Sequence, residues 1–247
     1  MPFGDAKSLA AAARLRSRSY GYKTGLSQAN RGSRVATPAV SAVHHPFFAR
    51  IWAVAVARET ESVRALRREN VAGLSGRVLE IGAGLGTNFA YYPESVDHVV
   101  ATEPEPRLAV RARAAAAAAP VRVDVIGETA EGYSHAVPFD AVVCSFVLCS
   151  VRDPGGVLRR LYSSLRPGGQ LRYLEHVASA GARGRFQRFV DATVWPKLAG
   201  NCHTHRHIER TVVDAGFEVN TSRREWQWPA WMPMPVSEVA LGRARRR

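Results

Sequence analysis

Cysteine is scarce in this chain. Cys144, Cys149 and Cys202 are the only three in 247 residues, and no two of them form a C-x-x-C pair. That excludes a disulfide-stapled scaffold and the common zinc-finger spacings, and an odd count points to a reducing compartment. Long apolar runs are missing as well. No stretch reaches the length that spans a bilayer. The run Ala10–Ala13 is too short for the apolar core of a secretory signal. A cytoplasmic location is therefore expected. Acid is nearly absent from the first forty residues, where seven Lys and Arg face only Asp5, and the last five residues add four Arg. The two ends carry ten of the thirteen net positive charges, so the part between them is close to balanced. Charge gathered in tails and not on one face argues against a nucleic-acid surface. A weak peripheral contact with a membrane surface is left open.

What is present is an ordinary globular composition, 46% hydrophobic, in a length that suits one α/β domain with a full core. Residues 1–43 read as a disordered basic extension, 44–242 as the domain, and 243–247 as a basic tail. From Phe47 to Arg68 the residues Phe48, Ile51, Trp52, Ala55, Val56, Val63 and Leu66 recur at helical spacing. Strands and helices then alternate. Strands are expected at Arg77–Ile81, His98–Thr102, Val121–Ile126, Asp140–Val147 and Leu171–His176. Helices are expected at Arg107–Ala119, stopped by Pro120, and at Pro154–Leu165, stopped by Pro167-Gly168-Gly169. Such alternation means a parallel sheet with helices on both faces. Residues 183–200, with Phe186, Phe189, Val190, Val194 and Leu198, read as an inserted helix. Ile208–Ala215 is the next helix, closed by Gly216. Phe217–Thr221 and Val236–Leu241 are the last two strands, separated by a segment, 226–235, rich in Trp and Pro.

The chain is organised around Val78-Leu79-Glu80-Ile81-Gly82-Ala83-Gly84-Leu85-Gly86. An apolar strand ends in a turn with glycine at every second position, where backbone can approach a ligand without a Cβ in the way. Thr87 or Asn88 can cap the helix that follows. That order places a nucleotide-like ligand at the carboxyl end of a first strand. The dinucleotide fingerprint needs its third glycine at position 87, which is threonine.

The pattern that stands here, E-x-G-x-G-x-G, resembles the first motif of class I S-adenosylmethionine-dependent methyltransferases. Glu103 after the second strand, Gly127-Glu128 after the third, Phe139-Asp140-Ala141-Val142-Val143, and Leu165-Arg166-Pro167-Gly168-Gly169 follow in that family's order. The stretches Val143–Val151, Glu175-His176-Val177 and Cys202…Arg206 are similar to the methyltransferase-like 7 group, the thiol S-methyltransferases. The resemblance implies a Rossmann-like, doubly wound seven-stranded α/β sheet, mostly parallel with its last strand antiparallel, and S-adenosyl-L-methionine as cofactor. It assigns the cofactor to Glu80, Gly82, Ala83, Gly84, Gly86 and Asn88 at the first turn. Glu103 and Pro104 follow at the second strand, Gly127, Glu128 and Thr129 at the third, and Ser145 and Phe146 at the fourth. Glu103 lies about twenty residues after Gly82, where an acid can take both ribose hydroxyls.

The acceptor side is expected at His176, on the carboxyl edge where a transferred methyl group would be. A histidine there can take a proton from a thiol or hydroxyl near neutral pH. Phe47, Trp52, Cys202 and Arg206 complete the expected acceptor pocket, with the Trp segment 226–231 as an apolar wall. The run Cys202-His203-Thr204-His205-Arg206-His207 fits zinc spacing poorly, so no metal is expected. Asn201 stands where the similar group often has glycine. These residues point to methyl transfer onto a small lipophilic acceptor, preferably a thiol. The alternatives are the carbon or oxygen of a quinol, phenol or natural product, a nucleic acid, and a non-catalytic adaptor. Strand four ends in Cys144-Ser145-Phe146 and not in the Asn/Asp-Pro-Pro-aromatic signature of base methylases. The oligomeric state is not legible.

Overall fold

A computed structural model describes residues 59–133, 137–193, 195–229 and 231–247. The expectations for residues 1–43, for Phe47 and Trp52, and for the first part of the helix 47–68 lie outside them.

The first helix, α1 (Glu61–Val71), is capped by Thr60, whose Oγ1 accepts from Val63 N at 3.4 Å. It buries Val63, Leu66, Arg67, Asn70 and Val71. That is the three-four spacing of a helix packed on a sheet, except that two of the five residues are polar. Those two reach the site described below.

The sheet has seven strands in the order β3-β2-β1-β4-β5-β7-β6. They are β1 (Gly76–Ile81), β2 (Val96–Thr102), β3 (Val123–Ile126), β4 (Phe139–Ser145), β5 (Leu165–His176), β6 (Glu218–Trp226) and β7 (Glu238–Arg245). Neighbouring pairs among β1 to β5 are parallel, and β7 runs antiparallel to both β5 and β6. The order reverses between β1 and β4, which opens a crevice at the carboxyl ends of the strands. Helices α2 (Pro106–Ala116) and α3 (Pro154–Ser164) each start with proline, behind Glu105 and Asp153 as caps. The chain continues through α4 (Gly181–Asp191), α5 (Trp195–Leu198) and α6 (Ile208–Asp214).

Successive residues of β1 supply opposite faces of the sheet. Leu79 and Ile81 join Phe139, Val142, Leu158, Leu161, Ile208 and Tyr173 on one side. Val78 joins Val71, Phe89, Val99, Ala112 and Val143 on the other. Each large apolar side chain so buried stabilises the fold by about 1.5–3 kcal/mol.

Three expectations are corrected. Residues 243–247 are not a tail: Arg243, Ala244 and Arg245 end β7, and Arg246 exchanges backbone bonds with Gly168 and Gly169. The sequence Arg-Ala-Arg is a strand alternation, with Ala244 facing in and both arginines out. Arg245 and Arg247 pair with Glu218. Second, β6 runs on to Trp226, because Arg223 and Arg224 along it pair with Glu69, Glu209 and Glu238. Third, the inserted helix is two, α4 and α5, and it turns its aromatic side outward. Phe189 is 68% exposed, while Gln187 is fully buried. Gln187 accepts from Ser179 N at 2.7 Å and donates to Val177 O and Pro235 O, so an amide pins α4 where apolar packing was expected. Among the described residues no helix is long and apolar enough to cross a membrane.

Candidate active site

The turn after β1 carries Gly82, Gly84 and Gly86 with φ of +64°, +59° and +76°. Only glycine adopts that left-handed region without cost. A Cβ on Gly82 would also stand 2.6 Å from Val147 Cγ2. The Ala83 N–H is bound to Thr102 O, and the Gly84 N–H donates to Glu103 Oε2 at 2.8 Å. Glu103 Oε1 accepts from Glu105 N at 2.9 Å. The acid that closes β2 is thus held by both neighbouring turns and is 5% exposed.

Beneath the turn lies a second buried carboxylate. Glu80 accepts from Asn88 Nδ2 at 2.9 Å and from Tyr92 OH at 2.6 Å. Asn88 Nδ2 also donates to Ser145 Oγ, and Asn88 Oδ1 accepts from Arg67. Arg67 is forked onto Glu59 at 2.6–3.1 Å, and Asn70 donates to Ser145 Oγ. This network joins α1, β1, β4 and the short helical turn Phe89–Tyr91. It occupies the polar atoms of Asn88 inside the protein, where the sequence assigns that residue to the cofactor. Burial pushes the carboxyls of Glu80 and Glu103 up to about 7, against the hydrogen bonds that favour their ionised forms.

β4 ends abruptly at Phe146, a non-glycine residue at φ +59°. A bulky residue there costs about 1–3 kcal/mol and needs the surroundings to hold it. Phe146 N donates to Leu174 O at 2.8 Å, and its ring lies between the Arg67 guanidinium at 5.0 Å and the His176 ring at 4.8 Å. Glu175, fully buried, accepts from the N–H groups of Val147, Leu148 and Cys149. Burial pushes its carboxyl up, and those three donors hold it back. The acid therefore shapes the loop after β4 into a nest of donors around itself.

His176 closes β5. Its Nδ1 lies 3.5 Å from Cys149 Sγ and 3.6 Å from Cys202 Sγ. Arg206 donates through one nitrogen to Leu148 O at 2.7 Å and Val151 O at 2.6 Å, so the loop itself uses the residue expected to meet the acceptor. Asn201 has φ +64°, a conformation asparagine tolerates, which explains how it serves where glycine is common. His203 faces Asp191, while His205 lies beside Arg188 and packs edge-on against His207, with ring centroids 5.3 Å apart.

The structure brings Glu80, the glycine turn, Asn88, Glu103, Pro104, Ser145, Phe146, His176 and Cys202 to one carboxyl edge. Gly127, Glu128 and Thr129 follow β3 at its outer end. Gly127 and Glu128 are exposed, and nothing lies within 4 Å of where a Gly127 Cβ would be. The Thr129 hydroxyl accepts from Gly132 N. Arg67, Asn70, Tyr92, Cys149 and Glu175 were missed. Their available signals are polar residues on the apolar stripe of α1 and an acid inside an apolar strand.

A sheet of this order, with a glycine turn after its first strand and an acid closing its second, is the Rossmann-like fold of class I methyltransferases and their structural relatives. The chain matches the methyltransferase-domain family over residues 54–222. It is 30% identical to the thiol S-methyltransferase TMT1B of Mus musculus over 212 residues, 80% of this chain and 85% of that one. Among solved structures it is similar to the N-methyltransferase NodS of Bradyrhizobium japonicum in complex with S-adenosyl-L-homocysteine. That likeness has a TM-score of 0.57 and 17% identity, over 75% of this chain and 86% of that chain. It is also similar to the [4+2]-cyclase SpnF, with a TM-score of 0.57 and 18% identity over 75% and 80%. The protein belongs to the S-adenosylmethionine-dependent methyltransferase family, and S-adenosylmethionine is its cofactor.

The donor set suits that cofactor. Each Glu103 oxygen takes one backbone N–H, which leaves each a lone pair for a vicinal diol. Two buried carboxylates at the ends of β1 and β2 suit a ligand that carries positive charge, since Arg67 is already matched by Glu59.

Proposed function

We propose that this enzyme methylates the sulfur of a small lipophilic thiol. The observation that carries the proposal is His176, packed on Phe146 at the end of β5, across the switch point from the glycine turn. The name of the TMT1B relative supports the same acceptor atom. The bound cofactor supplies a methyl group already activated by a sulfonium, so the protein needs no nucleophile of its own. Its work is to align the acceptor and exclude water. Glu103 and the glycine turn hold the adenosine end, and Glu80 and Ser145 fix the floor beneath the methionine end. Phe186, Phe189 and Leu198 on α4 and α5, and Trp226, Trp228 and Trp231 at and after the end of β6, are exposed. Exposed apolar side chains of this kind suit a lipophilic molecule. The pH-dependent step is ionisation of the thiol, which takes place beside His176.

The test is kcat/KM across thiols from thiophenol to alkylthiol, beside phenols, quinols and amines, with wild type and His176→Ala. Thiol turnover is expected, with a His176→Ala defect that shrinks as the acceptor becomes more acidic. Turnover of a phenol or quinol without any thiol activity would overturn the proposal in favour of transfer to oxygen or carbon.

A further inference from the structure

We propose that Cys149, His176 and Cys202 form a binding site for one Zn(II) ion, whose fourth position receives the acceptor thiol as a thiolate. The inference rests on the thiol reading above and adds how the thiol is ionised. Among the described residues these three form the group whose ligand atoms converge, all within 4.8 Å of one another and all buried.

The distances carry the argument. Zn–S bonds of about 2.3 Å and Zn–N bonds of about 2.0–2.1 Å in a tetrahedron put S···S edges near 3.8 Å and S···N edges near 3.6 Å. The observed separations are 3.8 Å for Cys149 Sγ to Cys202 Sγ, 3.5 Å for Cys149 Sγ to His176 Nδ1, and 3.6 Å for Cys202 Sγ to His176 Nδ1. They are the three edges of one tetrahedral face. A disulfide needs its sulfurs at about 2.05 Å and would leave the imidazole a bystander.

The surroundings are those of a built site. Two thiolates and a neutral imidazole cancel the charge of Zn(II), so the complex can be buried at little electrostatic cost. Each ligand is held by a neighbour. Cys149 N–H is bound by Glu175, and Cys149 O accepts from His203 N at 2.8 Å, which ties the two cysteine segments together. The His176 ring lies on Phe146, and Arg206 clamps the loop 148–151 through Leu148 O and Val151 O. Taken separately, the run Cys202–His207 and the spacing of the three cysteines predict no metal; Cys149, 53 residues before Cys202, and His176 meet Cys202 only in the fold.

Two cysteines and one histidine with an open position are the ligand set of a catalytic zinc site. An acceptor R–SH entering that position loses its proton to solvent and binds as thiolate. One of its sulfur lone pairs then forms the new C–S bond. The sulfonium C–S bond breaks, and its electron pair returns to the cofactor's sulfur. The thioether product carries no charge, binds zinc weakly and leaves. In this arrangement His176 is a ligand, and the metal takes over the ionising role.

The experiment measures zinc in the purified full-length protein by native mass spectrometry and elemental analysis. About one zinc per chain is expected, falling roughly tenfold or more in Cys149→Ser and in Cys202→Ser. Cobalt-exchanged wild type should show the visible bands of a tetrahedral thiolate site. Those bands should shift on adding thiophenol without cofactor, and not on adding phenol. This spectrum uses only wild type and holds even where a variant fails to fold. Zinc-free protein that methylates thiols at full rate would overturn the inference and leave the function standing. Zinc bound with no thiol turnover would overturn the function and the fourth-ligand role together.

Discussion

Replacing Glu103 by glutamine keeps the shape of the side chain, removes its charge and turns one acceptor into a donor. The carboxylate now accepts Gly84 N–H at 2.8 Å and Glu105 N–H at 2.9 Å. An amide oxygen can take one of these, and the amide nitrogen then meets the other, donor against donor. One unmatched buried N–H costs about 1–3 kcal/mol. The opposing effect comes from burial, which pushes the Glu103 carboxyl up to about 7 from 4.5. A raised folded value means stability that is complete below the unfolded pKa and lost as pH rises through the folded one. Holding the group ionised at about pH 8 therefore costs the fold roughly 3 kcal/mol, a cost glutamine does not have. At about pH 8 the two effects nearly cancel, and at about pH 4, below the unfolded value, only the unmatched N–H remains. The variant should melt close to wild type at the higher pH and clearly below it at the lower. Cofactor binding loses an ionised acceptor facing the ribose hydroxyls, about 1.5–3 kcal/mol, or roughly tenfold to a hundredfold in Kd. Calorimetry with S-adenosylhomocysteine and melts at the two pH values check both parts. An affinity within about twofold of wild type would remove Glu103 from the cofactor site. A melting difference that ignores pH would refute the burial argument.

Glu80, also pushed up to about 7, predicts the same sign. The cofactor-free protein should lose stability as pH rises through neutrality, and Glu80→Gln should flatten that slope; equal slopes in a pH series of melts would contradict it. Gly82→Ala forces a side chain into φ +64° and against Val147, so it should cost roughly 1–3 kcal/mol in denaturant unfolding. An unchanged midpoint would show that the turn is not left-handed. Arg206→Met strips the donors from Leu148 O and Val151 O. Amide exchange in the loop 148–151 should quicken and the melting temperature fall; a raised KM for the acceptor with neither change would return Arg206 to the substrate.

The sheet was legible because each of its signals is local. An apolar run such as Val142–Cys144, a proline at the start of α3 and a glycine at every second position after β1 each carry their structural reason within a few residues. The ends were less legible. Arg243 to Arg247 read as a charge run, because charge is visible in a sequence while the strand partners, Glu218 and the backbone of Gly168 and Gly169, are not. The aromatic spacing of α4 suggested a buried face. One amide, Gln187, decided the orientation by satisfying three backbone groups at once. Three unmatched buried backbone groups, at about 1–3 kcal/mol each, outweigh the gain from covering one more apolar side chain.

The site shows the same division more sharply. Glu80, Glu103 and the three glycines follow from their motif, because the turn follows Glu80 within a few residues of the chain and Glu103 closes the next strand. The groups that make those acids work come from elsewhere in the chain. Arg67 and Asn70 on α1 reach Asn88 and Ser145, and Glu175 on β5 organises the loop after β4. In each case a polar side chain is buried on an element whose periodicity predicts an apolar one. A helix stripe that reads Val63, Leu66, Arg67, Asn70 violates its own pattern at two adjacent turns. Burying an arginine and an asparagine without partners would cost several kcal/mol, so their burial requires acceptors that the helix itself does not contain. A polar residue in an apolar stripe is thus a statement about another part of the chain. Here it points to Asn88 and Ser145 beneath the glycine turn, and Cys149, a small residue in an apolar loop, points in the same way to Cys202 and His176.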